Sequence, residues 1–190
     1  LALELFEKGE SVTLFEKGDS SGSTSCAFVG LGMISPWSEL PILPQNDNVT
    51  FKLGVLSLSL WPDLLNKINC VQNYLHKGCF LICRPQENES FENLKKILHN
   101  CSMPPEFAIY SWQNINQLEP EISSHFSRGL FLPKEGCIDT HSLFLSLTQY
   151  FEAIKLSAFY NCGECKILNI NEVFIPAFGE SQKFDFIIDT

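Results

Sequence analysis

The stretch VTLFEKG, residues Val12 to Gly18, decides how this chain begins to fold. Its β-branched and apolar residues predict a short buried strand over Ser11–Phe15, which ends at an acidic side chain. The preceding LALELFEKG predicts the end of a helix that Gly9 closes, and the following Gly18–Thr24 is a loop rich in glycine and serine. A helix, a strand and a glycine-rich loop in this order indicate an α/β fold.

The acidic residue at the end of this strand, Glu16, has a specific use in dinucleotide-binding α/β folds. A carboxylate at a strand end accepts hydrogen bonds there from the hydroxyls of an adenosine ribose. The glycine-rich turn that precedes such a strand by about twenty residues is not in this sequence. Further along the chain, Gly30 and Gly32 would let the backbone approach a ligand closely.

Composition and charge exclude several classes of partner. The chain has 190 residues, of which 45% are hydrophobic, so it can bury a sizeable core. Its net charge of −9 disfavours nucleic acids and anionic membranes, which require a basic face. No apolar run approaches the roughly 20 residues of a membrane span, and no signal peptide opens the sequence. We expect a soluble, cytoplasmic protein whose oligomeric state, a homo-oligomer included, stays open.

The cysteines favour core packing over a disulfide framework, because the eight of them are scattered and most have apolar neighbours. The exception is Cys162-Gly163-Glu164-Cys165, a Cys-x-x-Cys motif. It could supply two of the four ligands of a zinc site, or a redox pair, but no second pair follows it. A plain loop is the first interpretation, and zinc binding and redox chemistry remain alternatives.

The rest of the sequence alternates helices with strands. Apolar spacing predicts helices over Val49–Asn69, from Asn88–Ser90 onward, over Asn116–Pro120 and over Asp139–Leu156. Strands are predicted at Cys79–Arg84, Phe107–Trp112, Gly129–Leu132, Lys166–Ile175 and Phe184–Asp189, and a loop at Pro41–Asn48. This order fits a nucleotide-binding α/β domain that is interrupted by an α+β insertion.

Three segments, in this order, resemble the FAD-dependent amine oxidase family that includes D-amino acid oxidase, sarcosine oxidase and glycine oxidase. They are Val12–Gly18 followed by Gly32–Glu39, the helix around Leu53–Pro62, and Leu118–Glu121 together with Gly129–Asp139. The sequence is most similar to the glycine oxidase branch of thiamine biosynthesis, ThiO. The resemblance implies a Rossmann-like FAD/NAD(P)-binding domain, without its first strand, over residues 1–74 and 138–190, and part of a substrate-binding domain over 75–137.

The resemblance also implies FAD as the cofactor and carries its contacts over by position. Glu16 would bind the adenosine ribose, and Lys17 would contact the adenine side. The other implied contacts are Thr24 and Ser25 to the diphosphate or ribityl chain, Leu31, Gly32 and Met33 beneath the flavin ring, and the backbone of Val173 at the adenine edge.

No catalytic residue and no metal ligand are assigned from the resemblance. In this family the arginine and tyrosine that bind the substrate carboxylate lie in the second half of the chain. Neither Arg84 nor Arg128 matches those positions.

The implied activity is oxidation of a small amine or amino acid, such as glycine or sarcosine. Hydride passes to the flavin, the imine product hydrolyses, and dioxygen reoxidises the flavin with release of hydrogen peroxide. We expect the chain to be an N-terminal half of such an enzyme, inactive alone and without tight FAD binding, because the helix that holds the pyrophosphate is missing. The alternatives are a non-catalytic remnant or split fragment of such an oxidase, and a cysteine-rich zinc protein.

Overall fold

The computed structural model describes residues 1–43 and 48–189, so part of the predicted loop Pro41–Asn48 lies outside the described residues. The helices are α1 Ala2–Glu7, α2 Cys26–Val29, α3 Pro36–Glu39, α4 Asn48–Lys67, α5 Asn88–Asn100, α6 Trp112–Leu118 and α7 Thr140–Ala153. The strands are β1 Thr13–Phe15, β2 Met33–Ile34, β3 Tyr74–Leu75, β4 Cys79–Cys83, β5 Ala108–Ser111, β6 Arg128–Leu132, β7 Gly136–Ile138, β8 Ser157–Phe159, β9 Lys166–Asn169, β10 Glu172–Ile175 and β11 Glu180–Lys183.

The chain divides into two compact units. Leu1–Gly30 and Thr140–Thr190 form one, here called the terminal unit, and Leu31–Asp139 forms the other, the central unit. This division places residues 31–74 with the central unit, whereas the sequence assigned them to the FAD-binding domain. Because compactness does not test what a segment binds, the domain assignment stays a prediction.

The terminal unit is built around a pair of parallel strands. Strand β1 pairs with β8, with Leu14 opposite Ala158, and β10 lies between β9 and β11 in an antiparallel meander. A small cluster of buried residues, Cys162, Val173 and Ile175, packs with Phe15 and Phe184. Phe15 also stacks on the ring of Phe159, with ring centroids 5.6 Å apart, and so extends this cluster to β8.

The central unit contains two antiparallel sheets. One has the order β4-β6-β5, and the other has the order β2-β7-β3. Helices α3, α4 and α5 contribute buried side chains to a core with the first sheet, which comprises Trp37, Phe51, Cys83, Phe91, Leu98, Leu130 and Leu132. Helix α4 lies where the apolar spacing predicted, but only part of the predicted buried face is buried: Phe51 and Leu65 are buried, whereas Leu53 and Leu60 are exposed.

The predicted α/β class is confirmed, and so are the four predicted helices, although α6 begins earlier than expected, at Trp112. The strand predicted over Phe184–Asp189 is wrong. The chain there is irregular, with Phe186 87% exposed, and no strand pairs with it within the described residues. An apolar run becomes a strand only where a neighbouring strand accepts its hydrogen bonds. The polar segment Glu180–Lys183 is a strand instead, because β10 lies beside it.

Candidate functional site

Glu16 lies directly after β1, at the edge where the parallel strands β1 and β8 both end. Its half-buried carboxylate accepts a hydrogen bond on Oε1 from the Gly18 amide at 2.8 Å. That is the one hydrogen bond to this carboxylate within the described residues. A Cβ at Gly18 would overlap the hydroxyl of Thr24, so a larger residue here would require the Thr24 side chain to move. The turn holds one carboxylate oxygen of Glu16, and within the described residues Oε2 has no hydrogen bond.

The turn that carries Glu16 is tied to the Cys-x-x-Cys loop after β8. The amides of Asn161 and Cys162 donate hydrogen bonds to the carbonyls of Gly18 and Glu16, at 2.6 and 3.0 Å. An exposed ion pair of 4.0 Å joins Lys17 to Glu164 and adds little, because water screens it. The backbone contacts, rather than this ion pair, therefore position Glu16.

The two cysteines of the loop have the properties of core residues. Burial raises the pKa of the Cys162 and Cys165 thiols, which disfavours the thiolate that redox and metal chemistry require. Among the residues that the structure describes, no group of three or more His, Cys, Asp or Glu side chains could hold a metal ion. The geometry favours the plain-loop interpretation of the motif.

The glycine- and serine-rich loop forms a network of hydroxyl groups. Hydrogen bonds from Ser21 and Ser23 hold the pKa of the Asp19 carboxyl below its ordinary value. Ser25 accepts a hydrogen bond from the Ala27 amide at 3.2 Å and so caps α2, whereas Thr24 is exposed. A cleft of about 280 Å³ lies beside this loop, lined by Ser20, Ser21, Phe28, His141, Leu145 and Thr148.

Val173, also in the terminal unit, lies in the middle of a sheet. Its strand, β10, is paired on both sides, with Val173 opposite Gln182 and Ile167. Its side chain is buried against Cys162 and Ile175. Neighbouring strands thus flank its backbone, and its contact with an adenine edge stays a prediction.

The segment Leu31–Gly32–Met33 opens the central unit. Gly32 has φ of +60°, a conformation that favours glycine, while Leu31 is 82% and Met33 47% exposed. The Ile138 amide donates a hydrogen bond to the Gly32 carbonyl at 2.9 Å, and Met33 pairs with Cys137. The segment therefore presents an apolar surface on a backbone that β7 holds.

One residue that the sequence did not single out, Glu135, is fully buried beside this segment's strand. The amides of Trp37 and Ser38 donate hydrogen bonds to its Oε1 at 2.8 and 2.9 Å, and the Ser38 hydroxyl donates to Oε2. Burial raises the pKa of the Glu135 carboxyl, against the effect of these donors. Its local sequence, with Lys134 and Gly136 as neighbours, is typical of an exposed turn, so no local signal predicts its burial.

The two arginines are held by contacts within the central unit. The Arg128 guanidinium lies 4.3 Å from the ring centroid of Phe91, and its Nη2 is 3.3 Å from a carboxylate oxygen of Glu92. Arg84 lies over the ring of Phe126, with its guanidinium carbon 5.8 Å from the centroid. Both guanidinium groups thus contact aromatic rings of this unit, while Nε of Arg128 is buried and has no hydrogen-bond partner within the described residues.

Comparison with known protein families gives one match. The family model described as DAO, FAD dependent oxidoreductase, matches residues 1–175. No curated protein sequence matches the chain. Within the described residues, none of the helices has both the length and the apolar character that crossing a membrane requires.

Solved structures of several amino acid oxidising enzymes have the same fold. Glycine oxidase from Bacillus cereus superposes with a TM-score of 0.70 at 18% identity, over 90% of this chain and 46% of that one. Glycine oxidase from Geobacillus kaustophilus gives 0.72 at 15% identity, over 90% and 46% of the two chains. L-amino acid deaminase from Proteus myxofaciens gives 0.68 at 18%, over 96% and 40%. The chain thus spans about half the length of these enzymes.

Proposed function

The chain belongs to the DAO family of FAD-dependent oxidoreductases, and on that premise we propose that it forms the FAD-binding half of an oxidase for small amines or amino acids. The observation that carries the proposal is Glu16, which lies at the carboxyl end of β1 with its Oε2 unpartnered among the described residues. Parallel strands present ligand-binding groups at this edge in nucleotide-binding folds.

The residues of the terminal unit fit the adenosine part of FAD. The Glu16 carboxylate would accept hydrogen bonds from ribose hydroxyls, because an ionised carboxyl group is an acceptor only. Lys17 lies beside it, and the hydroxyls of Thr24 and Ser25 follow on the glycine- and serine-rich loop. The two hydroxyl groups would contact the diphosphate or ribityl chain, Lys17 the adenine side, and the backbone of Val173 the adenine edge.

The residues of the central unit fit the flavin ring. The positive φ at position 32 favours glycine, and because glycine has no side chain, the flat flavin ring would be able to approach the backbone there. Leu31 and Met33 would cover the ring with apolar surface and exclude water from it. FAD, when bound, supplies the two-electron oxidation of the substrate, and the protein residues bind and orient it.

For the substrate, we propose glycine, sarcosine or a similarly small amine, oxidised in the cytoplasm with hydrogen peroxide as a product, as in the ThiO branch. The similarity to two glycine oxidases supports this choice. Arg84 and Arg128 are engaged in packing, so neither is assigned to the substrate carboxylate. The proposal therefore assigns no catalytic role to any of the described residues.

Flavin binding by the protein from its natural gene tests the proposal. We expect a yellow protein, and we expect Glu16→Ala to weaken FAD binding roughly 30-fold, because hydrogen bonds to a charged group contribute about 2 kcal/mol. The matched control is Glu152→Ala, which removes an exposed carboxylate from α7 of the same unit and should leave FAD binding unchanged. Absence of flavin from the purified protein, with no uptake on titration, would refute the proposal.

A second candidate is a non-catalytic member of the same family, either a remnant or a split fragment. Peroxide formation from glycine and sarcosine distinguishes the candidates, because a non-catalytic protein would bind FAD without turnover.

A further inference from the structure

Glu135 is a charged residue in a place where charge is costly. Its side chain has no exposed surface, and burial of an unpaired carboxylate is strongly unfavourable. Three donors compensate for this burial, namely the amides of Trp37 and Ser38 and the hydroxyl of Ser38. Because these donors offset only part of the cost of burial, the carboxylate depends on keeping them in one arrangement.

The donors belong to a helix that has no side-chain cap of its own. Helix α3 begins with Pro36, which has no N–H, and the hydroxyl of Ser35, at its N-cap, makes no capping hydrogen bond. The carboxylate of Glu135, 98 residues away from Trp37 along the chain, caps the N-terminus of α3 instead. It thereby joins the segment that follows β2 to the segment that precedes β7.

The effect of this contact extends along the paired strands. Ser35 follows β2 and Glu135 precedes β7, so the carboxylate closes one end of the β2–β7 pair. At the other end the Ile138 amide donates to the Gly32 carbonyl. On its other side β7 pairs with β3 so closely that a Cβ at Gly136 would overlap the Leu75 carbonyl. The register of β7 is thus constrained from both sides.

We propose that Glu135 is a positioning residue, which fixes β2 against β7 and so holds Leu31–Gly32–Met33 in place for the flavin ring. The part that concerns the flavin rests on the proposed function. Glu135 acts on this segment through Trp37, Ser38 and the β2–β7 strand pair.

Hydrogen exchange at single amides tests the positioning effect without any flavin. The probe is the Ile138 amide, and the reference is the Leu130 amide in the other sheet of the same unit. In Glu135→Ala, we expect exchange at Ile138 to rise about tenfold relative to Leu130, because loss of these hydrogen bonds costs at least about 1.4 kcal/mol. Glu135→Gln retains an acceptor for both amides and should stay within about threefold.

Two further variants complete the exchange experiment. Ser38→Ala removes a single hydrogen bond to Oε2 and should give a smaller rise at Ile138, which keeps the test decisive if Glu135→Ala does not fold. Glu121→Ala removes an exposed carboxylate and should change nothing. A rise confined to Trp37 and Ser38 would show a local cap only. An equal rise at Ile138 and Leu130 would show general destabilisation. Either result overturns the proposal.

The flavin absorbance spectrum, recorded on the protein from its natural gene, tests the second part. We expect Glu135→Ala to alter the shape of the bound-flavin band and Glu135→Gln to restore it. A normal band in Glu135→Ala would overturn the link to the flavin. If the wild type binds no flavin, the proposed function fails, and the exchange experiment still decides whether Glu135 positions the segment.

Discussion

The terminal and central units differ in how far they bury their apolar residues. The central unit has a continuous core, in which Leu98, Leu130 and Leu132 have no exposed surface. In the terminal unit, α7 has no buried side chain, and all of β9 is exposed. Its Val29 and Ile170 are exposed above 80%, which is unusual for aliphatic residues. The central unit therefore obtains more stabilisation from its own apolar burial.

The two units also differ in the contacts that hold their candidate cofactor-binding segments in place. The Glu16 turn depends on backbone hydrogen bonds to the loop after β8. The Gly32 segment depends on a strand pair and on a buried carboxylate beside a dense core. Local opening requires less free energy where few apolar contacts are lost, so the Glu16 turn should be the more dynamic of the two. Binding of an adenosine ligand should stabilise the terminal unit more than the central unit.

The largest expected effect is a loss of core packing in the central unit. Leu130→Ala should lower the free energy of unfolding by about 3 kcal/mol, because it leaves a cavity in the middle strand of the β4-β6-β5 sheet. The matched variant in the terminal unit is Leu145→Ala on α7, where the side chain is 59% exposed. It should cost less than about 0.5 kcal/mol in urea denaturation. Equal losses would remove the difference between the units.

The next effect concerns backbone space. Gly136→Ala should destabilise the central unit by about 1 to 3 kcal/mol, because its Cβ would overlap the Leu75 carbonyl, which cannot rotate away. Gly30→Ala in the terminal unit is the control. Its Cβ would lie 3.4 Å from the nearest atom, and its φ is −73°. Denaturation of both variants should separate them, and a silent Gly136→Ala would contradict the tight packing of β7 against β3.

A substitution in the aromatic cluster tests the stability of the terminal unit alone, with an expected effect smaller than those above. Phe15→Leu removes ring contacts with Phe159, Phe178 and Phe184 and should cost about 1 kcal/mol. All three tryptophans lie in the central unit, so their fluorescence reports on that unit. We expect the transition followed by far-ultraviolet circular dichroism to shift, and the tryptophan transition to stay in place. Coincident shifts by both probes would show that the units unfold together.

The smallest expected effect is on the pH dependence of the free energy of unfolding, to which two glutamates of the central unit should contribute with opposite sign. Burial raises the pKa of Glu135 in the folded state. Its contribution to stability is thus present below the pKa of the unfolded chain and is lost as the pH rises through the raised pKa. The wild type should therefore lose stability relative to Glu135→Gln as the pH increases over this window.

Glu92 is the control of opposite sign. Its pKa is lowered by Lys95, so its contribution is present above the unfolded pKa and is lost as the pH falls. The wild type should gain stability relative to Glu92→Gln as the pH rises from acidic values. Denaturation at a series of pH values measures both differences, and a common sign for the two glutamates would contradict the burial of Glu135.

The sequence predicted those features that depend on neighbouring residues. Helices α4, α5 and α7 followed from apolar spacing, and β1 followed from a short β-branched run with an acidic end. The short strands β2, β3 and β7 were not predicted, because two or three residues carry no periodic signal. The false strand at Phe184–Asp189 and the missed strand β11 have the same origin, since pairing partners decide strands.

By itself the sequence determined the α/β class and the position of Glu16 at a strand end. Both follow from local residue propensities and from the order of the predicted elements. Only the tertiary structure decided that Arg128 lies on Phe91 and that Glu135 caps α3. These contacts join residues that are distant along the chain, and they form only when packing has brought the two segments together. The residues next to a glutamate in the sequence do not reveal whether its carboxylate is buried or exposed, and only the fold decides this.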